Sequence, residues 1–198
     1  DSTGLFGAVA LGLYIDRAVA PDALIDNQLG GEITANATAQ QSFAIGVFTN
    51  ELAGELQNAG LISATATSTE MGGLAAGVVM NGLSGTLNNT GTITANVAGV
   101  GGGRVVGVQI GNVTGGVLNN YGTIEGVFSA TGPGEAYSIL ADNAEGGGTI
   151  HNRAGGVLRG ALSVGGSSVN VINDGTIAGS ITQNPVGIGY KTVEAAVK

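Results

Sequence analysis

Acid–base chemistry on an extended substrate needs carboxylates held close together, often beside an Arg or Lys that stabilises developing charge. The acids of this chain are dispersed instead: Glu32, Glu51, Glu55, Glu70, Glu125, Glu135, Asp142 and Glu145 stand far apart along the 198 residues. Glu32 and Glu125 fall at one angular position of the repeat described below, three coils apart, or ~14 Å by strand stacking. That separation is too large for a paired-carboxylate mechanism. His151 is the only histidine. It occupies a slot filled elsewhere by Asp26, Gln57, Asn88, Asn119 and Ile172, which reads as an exposed or corner position, and it has no convergent partners for a metal. Arg104, Arg153 and Arg159 are expected on the outer surface, with Arg153 and Arg159 pairing Glu145 or Asp174. Gly101-Gly102-Gly103 and Gly146-Gly147-Gly148 lack the Asp of a calcium-binding roll, and neither follows the strand-then-helix pattern of a phosphate loop. Asn36-Ala37-Thr38, Asn88-Asn89-Thr90 and Asn112-Val113-Thr114 match the glycosylation triplet, which arises by chance in a chain so rich in Asn and Thr. No catalytic residue, cofactor site or metal site is expected.

The elements that would position any site are set by repetition. Asn27, Asn58, Asn89 and Asn120 are each 31 residues apart, Asn152 follows at 32, and Asn173 at 21. Leu56-Gln57-Asn58-Ala59-Gly60-Leu61-Ile62 recurs as Leu87-Asn88-Asn89-Thr90-Gly91-Thr92-Ile93 and as Leu118-Asn119-Asn120-Tyr121-Gly122-Thr123-Ile124. Each period resolves into three short β-like runs. The first follows the Gly and alternates apolar with small polar residues, as in Thr92-Ile93-Thr94-Ala95. The second is Phe43-Ala44-Ile45-Gly46-Val47-Phe48 and its echoes, with Gly46, Gly77, Gly107 and Ser138 marking a bend or a close backbone approach. The third carries the Asn. Apolar residues show no helical period, and 38 Gly disfavour a helical repeat.

These features predict an all-β chain, a right-handed parallel β-helix of about six coils with three strands per coil, on the order of 30 Å long. Residues 24–184 form the coils, 1–23 an apolar capping or joining segment, and 185–198 a second cap or joint. Asn tolerates the left-handed conformation of a sharp corner. Its stacked amides can also donate and accept along the rod axis. The row Asn27, Asn58, Asn89, Asn120, Asn152 and Asn173 is therefore expected to hold the scaffold.

Composition narrows the partners. A net charge of −8 with only 6 basic residues excludes a nucleic-acid footprint and a polybasic lipid attachment. Hydrophobic content of 43% argues against disorder, and the absence of Cys leaves packing and hydrogen bonds to hold the fold. The apolar run from Leu5 to Ile15 is too short for a spanning helix and lacks the basic start of a secretion signal, so no membrane insertion by this segment is expected. Leu5, Phe6, Val9, Leu11, Leu13 and Ile15 read instead as a strand that caps the rod or adds to a neighbouring copy.

Repeats of the form L-x-N-x-G-T-I with Gly-rich loops, from about Ile25 to Ile181, resemble the β-helical passenger domains of bacterial autotransporters and related secreted adhesins. The resemblance implies an extracellular or cell-surface location and a role in adhesion, aggregation or biofilm formation, with a receptor or glycan as partner. The barrel of that family is not in this sequence, which implies a passenger fragment or a free-standing solenoid. Two other functions are weighed against adhesion. One is an extracellular filament of copies joined end to end through their terminal strands; the other, more distant, is a polysaccharide-acting enzyme.

Overall fold

The repeat closes into a three-sided solenoid because each run finds its own echo one turn away. The computed structural model describes residues 2–3, 6–16, 20–166 and 168–184. A part-coil of β1 (Ser2–Thr3) and β2 (Gly7–Ile15) comes first. Then follow the triplets β3 (Leu24–Asn27), β4 (Glu32–Ala39), β5 (Gln41–Leu52) and β6 (Glu55–Asn58), β7 (Leu61–Ser68), β8 (Gly73–Leu83). The third triplet is β9 (Thr86–Asn89), β10 (Thr92–Gly99), β11 (Gly103–Val113), and the fourth β12 (Val117–Asn120), β13 (Thr123–Phe128), β14 (Gly134–Asn143). The last two are short: β15 (Gly148–Asn152), β16 (Val157–Arg159), β17 (Ala161–Gly165), then β18 (Val169–Asn173), β19 (Thr176–Ala178), β20 (Ile181–Asn184).

Every third strand belongs to one sheet. Sheet A is β1-β4-β7-β10-β13-β16-β19, sheet B β2-β5-β8-β11-β14-β17-β20, and sheet C β3-β6-β9-β12-β15-β18. All pairings are parallel, in a register that repeats the 31-residue period, such as Ile62 with Ile93 and Ile93 with Ile124. The chain is thus a parallel β-solenoid with three strands per coil. Its six asparagines bound five complete turns rather than the six coils the motif count suggests, or ~24 Å at strand spacing.

Two interior zones follow from side-chain size. Leu56, Leu87, Leu118 and Ile150 of sheet C meet Ile62, Ile93, Ile124 and Leu158 of sheet A in a broad aliphatic column, almost wholly buried. Each such side chain contributes ~1.5–3 kcal/mol of burial free energy. Toward the corner between sheets A and B the space narrows, and only Ala fits: Ala35, Ala37, Ala39, Ala44, Ala64, Ala66, Ala75 and Ala95 line a thin wedge. Ser42 and Ser68 meet within this wedge, their hydroxyls 2.8 Å apart.

Wedge and column join at a glycine. Ala44 and Val47 are both fully buried, so the in–out alternation of β5 changes phase between them, at Gly46. A Cβ on Gly46 would lie 2.5 Å from the Gly77 carbonyl oxygen and 2.7 Å from Ile62 Cγ2. The same crowding recurs at Gly77 and Gly107, as the bend-or-close-approach reading anticipates. At the fourth triplet Ser138 takes the place, and the register shifts between Tyr137 and Ile139. Its buried hydroxyl donates to the Ala161 carbonyl at 3.1 Å, where the coil shortens.

Candidate functional site: polar ladders and an apolar edge

Each ladder asparagine ends a strand of sheet C and turns its amide inward above the Leu column. Asn27 Nδ2 donates to Asn58 Oδ1 at 2.7 Å, and the chain continues from Asn58 to Asn89, Asn89 to Asn120, Asn120 to Asn152 and Asn152 to Asn173 at 2.8–2.9 Å. The second amide proton goes to a main-chain carbonyl one coil on: Leu61, Thr92, Thr123, Val157 or Thr176. Asn58, Asn89, Asn120 and Asn152 are at most 2% exposed, so these bonds form away from water. The expectation that the asparagines supply a left-handed corner is overturned. No described residue other than Gly has a positive φ, and Gly30 and Gly155 take that conformation in the turns beyond Asn27 and Asn152. The asparagines contribute their side chains, while glycine makes the corner.

A second ladder stands outside. Asn50 Nδ2 donates to Asp16 Oδ1 at 2.7 Å, Asn81 to Asn50 Oδ1 at 2.8 Å, and Asn143 to Asn112 Oδ1 at 2.9 Å. Asn112 reaches the main-chain carbonyl of Asn81 at 3.3 Å and so links the two halves. These positions also repeat every 31 residues, a signal present in the sequence but masked by flanks as different as Met80-Asn81-Gly82 and Gly111-Asn112-Val113. A third row runs beside the inner one: Asn88 donates to Glu55, Asn119 to Asn88, and Arg153 to Asn119 Oδ1 through Nε and Nη2. The Arg153 guanidinium also lies over the Tyr121 ring, 5.8 Å from its centroid.

Several sequence readings change. Arg159 pairs with Glu125 at 3.2 Å and Arg153 with Asn119, not with Glu145 or Asp174, because the register sets Arg159 directly across from Glu125. Glu32 and Glu125 share the outer face of sheet A but not one position: Glu32 is in register with Leu61, Thr92 and Thr123, two residues from the row of Glu125. His151 is not a surface variation. It is 8% exposed, and its Nε2 lies 2.6 Å from Asp174 Oδ2, tying β15 to the turn after β18. An imidazole so covered presents little to a substrate; its geometry serves the junction. On sheet B, burial foremost, with a hydrogen bond to Glu135 and its charge, raises the Tyr137 phenol above its ordinary value.

The joining residues divide by face. Leu5 lies outside the described residues. Phe6, Val9 and Leu11 are 77%, 62% and 46% exposed, whereas Leu13 and Ile15 pack on the aliphatic column. Ala8 and Ala10 extend the alanine wedge, and Tyr14 stacks on Phe48, centroids 5.4 Å apart. Among the described residues no strand lies on the other side of β2. None of their buried side-chain nitrogens or oxygens lacks a partner, and no three His, Cys, Asp or Glu could share a metal. No helix is long and apolar enough to cross a membrane. The chain matches no family model, no curated protein and no solved structure.

Proposed function

We propose that this chain is a non-enzymatic structural and adhesive β-solenoid, acting outside the cell on a bacterial surface in adhesion, aggregation or biofilm matrix formation. The observation that carries the reading is the outer asparagine ladder. It presents like amides at successive turns along the rod, held in place by bonds to one another. Such a row meets a repeating partner, a glycan chain above all, with several weak contacts at once, and avidity multiplies them. The interior supports the same reading, since its polar atoms are all spent on the scaffold.

Beads coated with the chain are expected to bind neutral bacterial polysaccharide and to cluster the cells that carry it. Replacing Asn81 and Asn112 together by Asp should lower binding by about tenfold through lost multivalent contact, while the unfolding temperature stays within a few degrees. Coated beads no more adhesive than beads carrying an unrelated protein would overturn the proposal.

A second reading, an end-to-end filament, is favoured by β2 alone, whose free edge carries exposed Val9 and Leu11. If it holds, negative-stain images of the chain show regular fibres, and Val9→Lys with Leu11→Lys abolishes them. Short single rods from the unaltered chain would dismiss it.

A further inference from the structure

The rod carries a step in its side. Asn152 and Asn173 are 21 residues apart where the earlier turns take 31, so that turn is 10 residues shorter, 31 less 21. The missing residues are those of the wedge. β16 lies against only Thr123, Ile124 and Glu125 of β13, and β17 takes up β14 only from Tyr137. Gly126, Val127 and Phe128 therefore pair with β10 alone, and Gly134, Glu135 and Ala136 with β11 alone. Among the described residues no strand faces these two stretches on the side of the short coil. Phe128, Ala130 and Ala136 pack on the last layer of the alanine wedge and are only half buried. The result is an internal ledge: two short open strand edges on either side of an apolar floor.

We infer that this ledge docks an extended peptide of a partner polypeptide by parallel strand addition, one with small aliphatic residues at every other position. Four features define the occupant. Both edges belong to all-parallel sheets, so the added segment runs parallel to β13 and then, past a turn, to β14. The wedge admits Ala and Val and little else: the floor continues columns made of Ala37, Ala66 and Val97 on one side and Ala44, Ala75 and Val105 on the other. The missing width sets a length of about ten residues across the turn, an arch rather than a domain. A second whole rod is excluded, because β16, β17, β19 and β20 already stand under the main column where its own coils would lie. The charges at the rim are paired, Glu125 with Arg159 and Glu135 with Arg104, so the peptide needs no net charge.

The probe is a synthetic peptide copying residues 94–107 of this chain, the arch that already stacks on β13 and β14 from the other side. Titrated into the full chain, it should bind saturably, and a scrambled peptide should not. Hydrogen exchange at residues 126–128 and 134–136 should be fast in the chain alone and slow once the peptide is bound. Ala136→Glu and, separately, Ala130→Glu should each weaken binding about tenfold or more by burying a carboxylate, with the thermal unfolding of each confirming a folded rod. Two outcomes overturn the inference. One is no saturable binding, or binding that both variants leave unchanged. The other is slow exchange at those amides in the chain alone, which means that the chain covers its own ledge.

Discussion

Asn89→Ala is expected to destabilise the rod by about 3–5 kcal/mol, at or beyond the upper end of single-site effects. Asn89 is fully buried and takes part in the ladder in both directions. Its removal strands the Asn58 amide proton, the Asn120 carbonyl oxygen and the second acceptor at Thr123. Each unsatisfied buried group costs ~1–3 kcal/mol, and water does not enter an aliphatic column cheaply. Asn173→Ala, at the half-buried last rung, loses a single accepted bond and should cost about 1 kcal/mol. Urea titration of both variants checks the ordering. Equal losses at the two positions would mean that the ladder carries no position-dependent burden.

Gly77→Val should prevent native packing altogether, or reduce stability by more than about 3 kcal/mol. A Cβ there would stand 2.5 Å from Ile93 Cγ2 and 2.6 Å from the Gly107 carbonyl oxygen. Neither can retreat: the first is locked in the column, and the second is main chain in a central strand. The contrast is Gly115→Ala. No atom lies within 4 Å of a Cβ there, and only its φ of 81° resists the change. That substitution should cost about 1 kcal/mol. Circular dichroism with thermal unfolding separates the two, and a well-folded Gly77→Val of ordinary stability would contradict the close approach of sheets A and B.

Much of this scaffold could be read from residue order because its defining forces are periodic. A 31-residue step in Asn, Gly and Ile reports stacking directly, and the small residue in the second run reports the bend at Gly46 and Gly77. What escaped was whatever depends on register within a coil or on context at one turn. Asn58 looks like a corner residue in sequence, yet the corner is turned by glycine and the asparagine bonds sideways. His151 resembles its exposed counterparts Asp26 and Gln57 until the short last turn brings Asp174 beneath it. Asn50, Asn81 and Asn112 keep the same beat as the inner row, but without a repeated frame their spacing did not stand out. The ledge below β13 and β14 was visible as a missing ten residues, though not as an open edge.

The account rests on an amide ladder sealed inside a parallel rod, and side-chain amide exchange followed by NMR tests it most directly. The Nδ2 protons of Asn58, Asn89, Asn120 and Asn152 should exchange orders of magnitude more slowly than those of Asn81, Asn112 and Asn143, which share the beat but face solvent. Uniformly fast exchange across both rows would contradict the ladder and the fold built upon it.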